Sequence, residues 1–189
     1  MANSKPIILL DRDGVINYDS DQYVKTLEEW VPIPGSIEAI AALSKAGFQI
    51  YVVTNQSGIA RGYYDEDTLH AMHSKMTQLV EAKGGLISGI KYCPHGPNDN
   101  CQCRKPKSGM IEAIEQELGT SFQTNTQTVK AIMVGDSKRD LEAGYARGCE
   151  PALVLTGKGR DTQYKAFSFP FKVYTDLAAF SLALLHQYC

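Results

Sequence analysis

Ile7-Ile8-Leu9-Leu10-Asp11-Arg12-Asp13-Gly14 sets four apolar residues in a row against two acids and a glycine. A run that is apolar at every position suits a strand buried on both faces, as in a parallel sheet. Working outward, the pattern recurs. Residues 49–53 (QIYVV) end at Thr54, and residues 131–134 (AIMV) end at Gly135-Asp136. Residues 152–155 run into Thr156-Gly157, and residues 90–92 make a shorter candidate. The segments between them read as helices. Residues 36–46 start after Pro34-Gly35 and stop at Gly47. Residues 65–83 carry Leu69, Met72, His73, Met76, Leu79 and Val80, a stripe at helical spacing. Residues 108–118 and 138–147 each stop at a glycine, and 177–185 read as an amphipathic helix. Strands alternating with helices predict an α/β layered domain with right-handed crossovers.

The composition is that of an ordinary globular chain: 189 residues, 43% hydrophobic, 21% charged, formal net charge -2. One domain over 1–189 is the expectation. No basic excess points to nucleic acid or to an anionic membrane surface. The first apolar run meets charges at once and is too short for a signal core or a bilayer span, so a cytoplasmic monomer is expected. No internal repeat is visible. Of five cysteines, Cys93, Cys101 and Cys103 crowd together beside His95, and such clustering points to a metal before disulfides. Cys149 and Cys189 stand alone.

Ligands of open α/β sheets bind outside the carboxyl ends of the strands. Asp11, Thr54, the 93–105 loop and Asp136 all fall there and would face one crevice. Asp11 can attack phosphorus as a carboxylate nucleophile. Asp13 can protonate the leaving oxygen and then deprotonate the water that clears the intermediate. Carboxylates repel an anionic substrate unless cations are present, and Asp136 can complete an oxygen-ligand set for Mg²⁺. The segment Thr54-Asn55-Gln56-Ser57-Gly58 offers hydroxyls and N–H groups to phosphoryl oxygens. Arg104 and Lys105 supply positive charge. Taken singly, these motifs also read as a turn, a helix cap or a solvated loop lysine. Their order and strand-end placement carry the functional reading. Cys93, His95, Cys101 and Cys103 match a closed structural Zn²⁺ site that braces the loop leading into Arg104-Lys105. His70 is expected on a solvated helix face and His73 in the core.

Asp11-Arg12-Asp13-Gly14-Val15, Thr54, Lys105 and Gly135-Asp136-Ser137-(x)2-Asp140 resemble the four ordered motifs of the haloacid dehalogenase-like phosphatase superfamily. The resemblance covers residues 7 to about 160. It implies a Rossmann-like, mostly parallel sheet with helices on both faces, an aspartyl-phosphate intermediate and Mg²⁺. It makes Asp11 the nucleophile and a metal ligand, Asp13 the acid/base and a ligand through its main-chain carbonyl, and Asp136 a ligand. Thr54 and Lys105 would hold the phosphoryl group. Asp140 would either orient Lys105 or support the metal. Adding Asn17, Ile33-Pro34-Gly35-Ser36, the run Thr54 to Gly62, Cys93-Pro94-His95 and Cys103-Arg104-Lys105-Pro106, the chain resembles the heptose bisphosphate phosphatase family nearly end to end.

That resemblance implies hydrolysis of the C7 phosphate of D-glycero-D-manno-heptose 1,7-bisphosphate, on the route to ADP-heptose for the lipopolysaccharide core. It places substrate recognition at Asp19, Asn55, Gln56, Ser57, Arg104 and Ser137, the last standing where the family often has lysine. No stretch is long enough for a cap domain, so residues 17–32 and 93–104 are expected to shape the pocket. Two rival readings share some motifs. A histidinol-phosphate phosphatase would carry the same acid pair and zinc loop. A non-catalytic signalling or zinc-braced phosphate-binding module would not need a second acid two residues after the first, so Asp13 discriminates against it.

Overall fold

The chain runs β1 (Ile7–Leu10), α1 (Ser36–Lys45), β2 (Ile50–Asn55), α2 (Glu66–Ala82), β3 (Gly89–Cys93) and α3 (Gly109–Leu118) in its first part. It continues with β4 (Ala131–Gly135), α4 (Lys138–Tyr145), β5 (Glu150–Val154), α5 (Gly159–Thr162), β6 (Lys172–Tyr174) and α6 (Leu177–Tyr188). This is a computed structural model, and it describes residues 5–123 and 129–188. The strands form one sheet in the order β3-β2-β1-β4-β5-β6, with every neighbouring pair parallel. β1 lies inside it: Ile8 is level with Ile50 on one side and Ile132 on the other.

Burial on both faces accounts for the unbroken apolar run. Ile8 and Leu10 point into one cluster with Ile40 and Leu43 of α1, Leu69 and Met72 of α2, and Phe180 of α6. Ile7 and Leu9 point the opposite way, onto Met110, Ile111 and Ile114 of α3 and Ala143 of α4. Successive side chains alternate between faces, so helices cover both sides. Each such side chain contributes about 1.5–3 kcal/mol by leaving water.

The predicted strands and helices all form, with ends moved by one to three residues. The edges hold what the sequence pattern did not show. β6 has three residues, two of them exposed, and carries Lys172 at the sheet edge, where a charge discourages further pairing. α5 is a single turn. β5 starts two residues earlier than its apolar run, at exposed Glu150 and half-buried Pro151. Cys149 is buried in the second cluster. Cys189 lies outside the described residues.

Between β1 and α1 the chain makes a long loop over the carboxyl end of the sheet. Trp30 anchors it, fully buried. Lys75 of α2 donates to the carbonyls of Leu27 and Trp30 and sits 5.5 Å over the indole. Asn17 makes isolated bridges to Asp13 and Pro32, which draws both ends of the loop against β1. Among the described residues, no helix is long and apolar enough to cross a membrane.

Candidate active site and metal centre

β1 ends at Leu10, and the next residue, Asp11, turns into a crevice with its N–H still bonded to the Val134 carbonyl. Asp11 is buried. Its Oδ1 accepts from the Arg12 N–H at 2.8 Å and lies 2.8 Å from the Lys105 ammonium. Lys105 also reaches Asp140 Oδ1 at 2.8 Å and donates to the Val53 carbonyl at 2.7 Å. All three ammonium protons thus have acceptors. Burial works against the Lys105 charge, but Asp11 and Asp140 outweigh it and raise the pKa. The same lysine, with Arg139, overcomes the burial of Asp140 and holds that carboxyl below its usual range.

Asp13 is half-buried and held differently. Burial favours its neutral form, yet the Arg12 guanidinium and donors from Asn17, Arg12 and Gln56 lower its pKa. Asp136 lies past the end of β4. Burial first, then Asp140 and Asp11, push it up to about 8. Burial and Asp140 likewise raise Asp11, to about 6, against Lys105 and Arg139. Asp136 Oδ2 accepts from the Lys158 N–H at 2.8 Å. It also presses on two glycines: a Cβ at Gly14 would stand 2.2 Å from Oδ2, and one at Gly157 would stand 2.1 Å away. Only glycine admits that approach, and Gly14 (φ +83°) and Gly157 (φ +53°) also hold left-handed backbone.

Asp11, Asp136 and Asp140 offer carboxylate oxygens within 4.8 Å of one another. Asp140 is already committed, with Oδ1 on Lys105 and Oδ2 on the N–H and hydroxyl of Ser137. Asp11 and Asp136 remain. Two buried like charges facing one gap fit a small hard cation that takes one or two carboxylates and keeps several waters, as Mg²⁺ does.

The cysteine loop offers a second donor set. Cys93 ends β3, and its Sγ lies 3.7 Å from Cys101 Sγ and 3.1 Å from Cys103 Sγ. His95 Nδ1 lies 3.6 Å from Cys93 Sγ and 3.3 Å from Cys103 Sγ. The edges of a tetrahedron around zinc, with Zn–S about 2.3 Å and Zn–N about 2.0 Å, are roughly 3.4–3.8 Å long. The four donors therefore already stand near the corners of a Cys₃His zinc site. Arg104 Nη1 donates to the His95 carbonyl at 3.1 Å, so the loop holds the arginine that follows it.

A cavity of about 180 Å³ opens over Asp11 and Asp13. Asp19, Asn55, Gln56, Ser57 and Arg104 all line it. Asn55 also braces Lys105, exchanging two hydrogen bonds with its main chain at 3.1 and 3.0 Å. Gln56 is engaged with Asp13, Thr54, Arg12 and Tyr64. Ser137 is turned away, its hydroxyl given to Asp140 at 2.5 Å, and it is not among the cavity-lining residues. Thr54 is buried and accepts from Gln56.

Tyr64, Arg139 and Lys158 also line the cavity and were not singled out from the sequence. Arg139 is in the first turn of α4, three residues past Asp136, where an acid-rich crevice needs cations. Lys158 binds Asp136 through its main chain and Asp19 through its ammonium at 3.3 Å.

A parallel α/β sheet whose central strand delivers an acid pair to a lysine and a second-strand hydroxyl defines a haloacid dehalogenase-like phosphatase. A family model described as HAD-hyrolase-like matches residues 102–180. The D-glycero-beta-D-manno-heptose-1,7-bisphosphate 7-phosphatase of Pseudomonas putida is 55% identical over 179 residues, covering 95% of this chain and 99% of its own. That of Pseudomonas aeruginosa is 53% identical, covering 96% and 99%. The crystal structure of D,D-heptose 1,7-bisphosphate phosphatase from B. bronchiseptica, complexed with magnesium and phosphate, superposes with a TM-score of 0.88 at 45% identity, over 96% of this chain and 99% of that one. The chain belongs to the D-glycero-β-D-manno-heptose-1,7-bisphosphate 7-phosphatase family.

Proposed function

We propose that the chain removes the C7 phosphate of D-glycero-β-D-manno-heptose 1,7-bisphosphate, on the cytoplasmic route to ADP-heptose for the lipopolysaccharide core. The observation that carries this is the placement of Asp11 and Asp13 side by side at the mouth of one cavity, with Lys105 locked behind Asp11. The 53–55% identity to named relatives, spread over nearly the whole chain, supports the same substrate. No nucleic-acid partner is expected from a chain of net charge -2, and a monomer satisfies the site, since the site residues come from one chain.

An Oδ of Asp11 attacks phosphorus and forms an O–P bond as the P–O7 bond breaks. Asp13 gives its proton to the departing O7, so the sugar leaves as a neutral alcohol. Water then attacks the aspartyl-phosphate while Asp13 takes its proton, restoring both carboxyl groups and releasing inorganic phosphate. The Thr54 hydroxyl, whose oxygen is filled by Gln56, has its own proton free for a phosphoryl oxygen. Lys105 holds Asp11 in line and offsets the charge of the transferring group. Asp11, Asp136 and the main-chain carbonyl of Asp13 would hold Mg²⁺, which would neutralise charge at the phosphoryl oxygens. Cys93, His95, Cys101 and Cys103 would hold Zn²⁺, which would brace the loop that presents Arg104. Asp19, Asn55, Gln56, Ser57 and Arg104 line the cavity and would meet the sugar and its second phosphate there. Ser137 serves recognition only indirectly, through Asp140.

Phosphate release from both anomers of the heptose bisphosphate and from histidinol phosphate, with Mg²⁺ present, tests the reading. The β-anomer is expected to have the highest kcat/KM, and Asp11→Asn is expected to abolish turnover with the circular dichroism spectrum retained. Faster hydrolysis of histidinol phosphate would overturn the substrate, and substantial activity in Asp11→Asn would overturn the covalent route.

A further inference from the structure

Asp13 sits in a cage of five hydrogen bonds. Arg12 Nε and Nη2 reach its Oδ1 at 3.3 and 3.0 Å, and Nη2 reaches Oδ2 at 3.1 Å. Asn17 Nδ2 donates to Oδ1 and Gln56 Nε2 to Oδ2, both at 2.8 Å. The guanidinium that makes three of these contacts is 1% exposed. An exposed arginine beside a carboxylate is commonplace and weak, but a dry one facing it along a planar edge fixes an orientation. Arg12 Nη2 is shared between Asp13 and Gln56 Oε1, and Nη1 is buried without a hydrogen-bond partner among the described residues.

Gln56 is locked in turn. Its Oε1 faces two donors, Arg12 Nη2 at 3.2 Å and the Tyr64 hydroxyl at 2.6 Å. Its Nε2 faces two acceptors, Asp13 Oδ2 and Thr54 Oγ1, each at 2.8 Å. Turning the amide over would set its NH₂ against the Arg12 guanidinium and its oxygen against the Asp13 carboxylate. The Tyr64 ring can reach this position because residue 58 is glycine: a Cβ there would stand 2.2 Å from a ring carbon. The segment from Gln56 to Tyr64 thus folds back on itself to hold one side chain.

We propose that Arg12 is a positioning residue that holds Asp13 in the orientation from which it serves the leaving oxygen, with Tyr64 acting behind it by fixing Gln56. This rests on the reading of Asp13 as the proton donor. A general acid must stand within hydrogen-bond reach of one atom, and an aspartate free to rotate would spend much of its time elsewhere. The bland alternative is that Arg12 only neutralises a buried charge.

Two variants separate the readings. Arg12→Lys keeps the charge but cannot make a planar two-pronged contact. Tyr64→Phe keeps the ring over Gly58 and removes only the hydroxyl, so it folds even where the first variant does not. Each is assayed on the sugar bisphosphate, whose alkoxide must be protonated to leave, and on p-nitrophenyl phosphate, whose phenolate need not be. Arg12→Lys is expected to lower kcat on the sugar bisphosphate ~10- to 100-fold. Tyr64→Phe is expected to lower it about two- to fivefold, with KM moving less than about twofold in both. In single-turnover assays, which read the first step alone, losses on p-nitrophenyl phosphate should be distinctly smaller. Equal single-turnover losses on the two substrates, or unchanged kcat in both variants, would overturn the proposal. A wild-type enzyme inactive on both substrates would remove the phosphatase reading first, and this one with it.

Discussion

Gly14 and Gly157 close on the Asp136 carboxylate from two sides, and the crowding has a chemical purpose. It keeps bulk water off one oxygen of Asp136 and leaves the acid aimed across the gap at Asp11. A methyl group at Gly14 would meet Oδ2 at 2.2 Å and would sit on left-handed backbone, which alone costs roughly 1–2 kcal/mol. Gly14→Ala is therefore expected to lower Tm by several degrees and to raise the Mg²⁺ concentration needed for half-maximal activity, with kcat at saturating metal down at least about tenfold. Metal titration of activity, beside a thermal melt, checks it. A variant with wild-type metal dependence would show that Asp136 can step aside freely. Both glycines stand in plain view in the sequence, but their partner is 122 residues from Gly14, and no local pattern announces such a contact.

At the scale of the element, α2 shows what an amphipathic stripe hides. His73 shares a face with Met72, Met76 and Val80 and is 6% exposed, so it is a core histidine, as the spacing suggests. Burial first, then the nearby Arg12, push its pKa down to about 3. The folded protein thus resists protonating His73, while the unfolded chain protonates near 6.5. Stability from this group is complete above pH 6.5 and is lost as pH falls toward 3. Wild type is expected to lose stability relative to His73→Phe by up to about 1.4 kcal/mol per pH unit between pH 6 and 4. Urea melts across that range read the difference, and parallel profiles would place His73 in contact with water. Helices and strands with a clear period, such as α2 and β1, were legible from the sequence almost to the residue. β6 and α5 were not, because three exposed edge residues and a single turn carry no period. The site followed the same division. Asp11, Thr54 and Asp136 were visible because they punctuate apolar runs, and Lys105 because it follows the cysteine loop. Arg12, Tyr64, Arg139 and Lys158 were not, because each is defined by what folds against it. Ser137 looked like a pocket residue from its place after Asp136, yet its hydroxyl goes to Asp140 three residues along the same helix turn.

Across the whole molecule, the two metal sites sit at unequal depth. The acids belong to the middle strands, β1 and β4, while the cysteine loop hangs from β3 at one edge, where most residues are only half buried. Removing zinc should accordingly loosen Arg104 and the 93–104 loop and leave the sheet standing. A chelator that strips Zn²⁺, with Mg²⁺ restored in excess, is expected to cut kcat/KM for the bisphosphate at least about tenfold. Far-UV circular dichroism should change little; cooperative unfolding on chelation would mean that the loop holds the sheet together. The strand order carries a further consequence, for the protein as it is being made. β1 emerges first, and β2 can join it once residue 55 has been synthesised, but its other edge waits for β4, which ends at residue 135. During that interval a nascent chain presents an apolar strand with one side unpaired, the kind of edge that recruits foreign strands. Slower translation between those two points lengthens the time that edge stands open.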